Sequence, residues 1–209
     1  LMTDIGNQTI DFTKQEERKT KMENNSQTTP TNKTKEYERL FHADLHNYLT
    51  SIGLVDKHFP EAPDIEERWA KIGESYMPDG IREFNGYPTA ALGWMMYVGM
   101  AVAKYWDLDW DLYGKVDDLY RYLRDRIGYD DMDTYISEKV LLLDEKGVGD
   151  LRKVIGECAS RTYNTLLHLG AEPGSADAFY AFIAALHVMY LMGSAMQLKA
   201  MGYHMTKIQ

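Results

Sequence analysis

The sequence predicts an all-α, single-domain bundle of about six or seven helices, and three observations predict it. Two stretches, 88–106 and 176–201, are apolar almost throughout, and a helix with no polar side is buried all round. The segments between and around them repeat apolar residues every three or four positions, the period of one helix face. No stretch alternates apolar and polar residues as a half-buried strand would, and no repeat of the length that marks solenoids recurs.

Residues 1–33 are polar, rich in Asn, Thr, Lys and Glu, and carry almost no apolar period. They read as a flexible tail ahead of a bundle spanning 34–209. No apolar core of a secretory signal stands among the first 25 residues, so a cytoplasmic location is expected.

The first helix is expected over 34–52, with Phe41, Leu45, Tyr48, Leu49 and Ile52 on one stripe and Gly53 as its stop. Pro63 opens the next helix at a position where its missing N–H costs nothing. Ile65, Trp69 and Ile72 share a face there, and Pro78 with Gly80 should end it. A short turn over 81–84 then breaks at Asn85-Gly86. The apolar helix from Pro88 to Trp106 has small residues at Ala90, Gly93, Ala101 and Ala103. These let another backbone approach, and Gly93 is the expected point of contact with the second apolar helix.

Further helices are expected over 111–127, capped by Gly128, and over 130–143. Gly147 and Gly149 should separate the latter from a helix that Asp150 caps and that runs to His168. Ser175 is placed to cap the last helix, 176–201.

Composition excludes some function classes. The net charge is −9, which argues against a nucleic-acid interface, since those surfaces are basic. Neither apolar stretch has flanking Lys/Arg asymmetry, so no membrane span is expected. A single cysteine, Cys158, allows neither an internal disulfide nor a cysteine cage for a metal. The chain uses 15 Tyr and 12 Met against 6 Phe, so its core must find partners for many hydroxyls.

Two constellations could carry chemistry. Glu38, His42 and His46 are spaced by four, which stacks them along one ridge of a helix. Such a ridge could contribute to a divalent-metal site, although a straight row cannot surround an ion without ligands from another helix. The plainer expectation is a set of boundary side chains with no metal. The second constellation is a polar seam around His187, formed with Tyr180, Tyr190 and Ser194 on the same helix. Tyr97 and Lys104 would face it from the other apolar helix. The simpler role for such groups is a satisfied hydrogen-bond network; the sharper one is a ligand pocket. Asp107, Asp109, Asp111 and Asp118 imitate a calcium loop, but Leu112 stands where that loop needs glycine. They read better as acidic caps.

No catalytic motif is present. The leading expectation is therefore a non-enzymatic bundle acting through self-association or a protein partner. The competing expectation is a small-molecule- or metal-binding bundle, enzymatic or not, built on His42 and His46 or on the His187 seam.

Overall fold

The computed structural model describes residues 30–203, and all regular structure among them is helical. The helices are α1 (Pro30–Ser51), α2 (Pro63–Glu66), α3 (Trp69–Phe84), α4 (Pro88–Leu108), α5 (Trp110–Lys115), α6 (Leu119–Ile127), α7 (Met132–Tyr135), α8 (Glu145–His168) and α9 (Ala176–Ala200). The expected tail lies outside the described residues up to position 29. Residues 30–33 are instead the first turn of α1, and Lys33 pairs there with Asp177 of α9 at 2.9 Å.

The two apolar helices form the centre. α4 and α9 share the most extensive contact in the fold; α1 lies against α9, and α8 and α3 lie against α4. By length and composition α9 could cross a bilayer, but most of its apolar window is buried inside the bundle. The crossing of α4 and α9 is set by two glycines. A Cβ at Gly99 would lie 2.1 Å from the Tyr190 carbonyl oxygen, and one at Gly193 would lie 2.1 Å from that of Met96. Each glycine thus makes room for the other helix's backbone. Ser194 Oγ sits at the same crossing, 3.1 Å from the Gly99 carbonyl and 3.0 Å from that of Tyr190, both acceptors for its single proton. Gly93, expected at this contact, faces α8 instead, where its Cβ would meet Ile155 at 3.1 Å.

Several expected helix ends are displaced. α3 runs through Pro78 and Gly80 without stopping. Gly80 gives room to an aromatic ring, because a Cβ there would lie 2.7 Å from Cε1 of Tyr76. The helix expected over 111–127 breaks at Val116, which is extended, and each half has its own cap. The Leu112 N–H donates to Asp109 Oδ1 and the Arg121 N–H to Asp118 Oδ1, both at 3.0 Å. The acidic run is thus a pair of caps, as its charge pattern implied. α7 passes into a π-helical turn, Ile136–Val140, in which the Leu141 N–H donates to the Ile136 carbonyl at 2.8 Å. α8 begins before both glycines rather than after them: Asp144 caps it through the Gly147 N–H at 2.7 Å. Asp150, expected as the cap, pairs with Lys146 at 2.8 Å on the helix surface. The Ser175 cap stands as expected, accepting from the Ala178 N–H at 3.1 Å.

The tyrosines explain how separate elements hold register. Tyr76, Tyr113, Tyr120 and Tyr190 are fully buried, so each hydroxyl must find an acceptor. Tyr76 donates to the Ala91 carbonyl at 2.6 Å, Tyr190 to the Ile65 carbonyl at 2.7 Å, and Tyr113 to the Asp64 carbonyl. Tyr120 donates to Asp79 at 2.6 Å. Two of the four pin α2, a helix too short to hold itself in place.

Candidate functional site

The segment after α1, which ends in the short helix α2, forms one wall of an opening on the bundle. Residues 59–66 stand across from the outer faces of α1 and α9 and leave a cleft of about 520 Å³ between them. Phe59, Pro60, Ile65, Leu191, Ala195 and Leu198 form its apolar walls, and its polar lining comes from His42, Glu61, Glu66 and Ser194. A second cleft of about 420 Å³ adjoins it between α1 and α9, with Glu38, His187, Lys35 and Arg39 in its lining. His42, Glu66 and Leu191 line both.

Residues from both predicted constellations therefore meet here. Glu38 and His42 come from the α1 ridge, and His187 and Ser194 from the α9 seam. The contact between the two sets is a hydrogen bond: His187 Nδ1–H donates to Glu38 Oε1 at 2.7 Å. An ionised carboxylate only accepts, so the proton on this bond belongs to the imidazole. The indole of Trp69 stacks on the His187 ring at 4.9 Å and 17°. His187 Nε2 is shut from solvent and makes no hydrogen bond among the described residues. Nearly three helical turns toward the start of α9, Asp177 accepts from Lys33 Nζ and from the Tyr37 hydroxyl, each at 2.9 Å. Together these contacts clasp α1 to α9 at two levels, the Glu38–His187 pair within the lining of the smaller cleft.

The three side chains of the ridge turn to different partners. Glu38 turns to His187, while His46 Nε2–H donates to the Asp56 carbonyl at 2.8 Å. The His42 ring meets the edge of Phe59 at 4.5 Å and lies 5.4 Å from the His46 ring. Among the described residues no three His, Cys, Asp or Glu side chains are grouped to hold a metal ion. Desolvation by burial, assisted by the neighbouring His46, lowers the His42 pKa, which keeps its ring neutral at pH 7.

The seam is only partly assembled. Tyr97, Lys104 and Tyr180 line neither cleft. Tyr97 packs on Trp94 at 6.1 Å and lies among charges from Asp133 and Arg152. Tyr180 neighbours Phe179, and Tyr190 is spent on the Ile65 carbonyl. Sequence reasoning missed Phe59, Glu61 and Glu66, whose only signal was the pair of prolines, Pro60 and Pro63, that stiffens the segment carrying them. It also missed Trp69 as the partner of His187. Cys158 offers no nucleophile, because burial pushes its thiol up to about 12.

No protein-family model, curated protein or solved structure matches this chain.

Proposed function

We propose that this bundle binds a small molecule with an apolar body in the double cleft between α1, α9 and residues 59–66. The observation that carries the reading is the meeting of both polar constellations at two adjoining clefts, the larger of which has mainly apolar walls. An apolar cleft with a few converging polar groups is the ordinary form of a ligand site. His42 is the central residue of the reading. It lines both clefts, and a neutral imidazole can both donate and accept toward a bound group.

The test is a series sharing one body and differing in the head group: 4-phenylbutanol, 4-phenylbutylamine and 4-phenylbutyrate. At least one should bind saturably and shift the imidazole NMR signals of His42. Leu191→Trp, which fills the junction of the clefts from a half-buried position, should abolish that shift. If none of the three shifts His42, or if Leu191→Trp binds as the parent does, the reading is wrong.

A second reading, self-association, is favoured by one end of the bundle. Leu108 and Trp110 are 64% and 60% exposed at the junction of α4 and α5, where burial against a second copy would remove apolar surface from water. Sedimentation velocity should then show a dimer that the double variant Leu108→Glu, Trp110→Glu converts to monomer. A parent protein that sediments as a monomer at high concentration excludes it.

A further inference from the structure

Two clefts that share three residues need not accept the same chemical group. The ionisable side chains lining the larger cleft are His42, Glu61 and Glu66, with no lysine or arginine among them. Those of the smaller cleft include Lys35 and Arg39 beside Glu38 and Glu66. Glu38 is already engaged by His187. Glu66 sits where the two clefts join, on a helix pinned from behind by Tyr113 and Tyr190 through the Asp64 and Ile65 carbonyls. Its position is therefore fixed by the core although its carboxylate is exposed.

Resting on the reading of the double cleft as a ligand site, we infer that the larger cleft takes a protonated amine with an apolar or aromatic body. The ammonium donates to the carboxylates of Glu61 and Glu66, and the body lies along Phe59, Leu191, Ala195 and Leu198. Three features select this class over its neighbours. An alkylammonium carries three donors and no acceptor, which suits a lining of two carboxylates and an imidazole. A carboxylate-bearing ligand would face both glutamates without a cation beside it in this cleft. A neutral alcohol would leave the charge of the lining uncompensated. His42, kept neutral by desolvation and its neighbour His46, adds no repulsion toward a cation and can accept from it. The net charge of −9 also draws cations toward the molecule as a whole.

The test compares the three phenylbutyl compounds by isothermal titration calorimetry on the full chain. The amine should bind tighter than the alcohol by about fivefold, as one partly exposed ion pair allows, and the carboxylate should bind weakest. The advantage of the amine should shrink as salt is raised through the screening range. Glu61→Gln with Glu66→Gln, both at exposed positions, should remove that advantage, bringing the amine and the alcohol to equal affinity. Equal affinities for amine and alcohol overturn the inference and leave the cleft reading standing. So does tighter binding of the carboxylate, or an amine advantage that survives the double variant. Failure of all three compounds to bind overturns both.

Discussion

Gly99→Ala should destabilise the protein by about 3 kcal/mol, at the upper end of the range for overpacking. The new methyl would lie 2.1 Å from the Tyr190 carbonyl oxygen. No rotamer change relieves that contact, because the obstructing atom is backbone. α9 would have to move away from α4 as a unit, which opens the most extensive contact in the fold and pulls Ser194 off the Gly99 carbonyl. Gly193→Ala should behave the same way, since its methyl meets the Met96 carbonyl oxygen at 2.1 Å. Gly156→Ala is the control. It is exposed on α8 with nothing within 4 Å of a Cβ, so it should stabilise by about 1 kcal/mol through helix propensity alone. Urea unfolding of the three variants reads the contrast directly. Equal midpoints for Gly99→Ala and Gly156→Ala would show that α4 and α9 do not cross there.

Asp79→Ala should cost about 2–3 kcal/mol, an effect expected when a buried charge network loses its centre. Asp79 is only 3% exposed. It accepts from the Tyr120 hydroxyl at 2.6 Å, from Arg82 at 2.9 Å, and from both Nε and Nη2 of Arg124. The lower part of the range is the better expectation, because Arg82 and Arg124 reach solvent and can rehydrate, whereas the Tyr120 hydroxyl cannot. Burial by itself would raise the Asp79 pKa, but the hydrogen bonds from Arg124 and Tyr120 and the charges of Arg124 and Arg82 outweigh it and lower the value.

That direction fixes the pH dependence. A carboxyl whose folded pKa lies below its unfolded value of about 3.9 contributes fully above that value. The contribution is lost as pH falls through the folded pKa, when the folded state also takes up the proton. The stability difference between the parent and Asp79→Ala should therefore stay constant from neutral pH down to about pH 5 and narrow below about pH 4. Taking the difference cancels the titration of other carboxylates. A difference that grows on acidification would contradict the ion-pair account.

How much of this was legible beforehand depended on whether the cause was local. Helix content, the two buried helices, the Pro63 and Pro88 starts and the Ser175 cap all follow from periodicity and residue type within a few positions. The breaks read from glycine and proline were less reliable for a physical reason. Gly80, Gly147 and Gly149 lie inside helices; Gly80 is there because Tyr76 needs the space, a demand that belongs to packing and not to the chain's local preference.

The sequence by itself determined that the chain is all-α and that 88–106 and 176–201 lie at its centre, because burial all round is written in the composition of each helix. It also offered Glu38, His42, His187 and Ser194 as polar candidates, among several others of equal standing. Only the tertiary structure decided which of them meet. Glu38 and His187 are 149 positions apart, and nothing periodic links them. The same holds for the glycines: small residues recur all around α4, and the face that meets α9 is chosen by the packing of α1, α3 and α8 against the pair. The cleft was hidden for the opposite reason. Its wall over 59–66 is a loop ending in the single turn of α2, too short to show a period, and it is held in place by tyrosine hydroxyls reaching from α5 and α9.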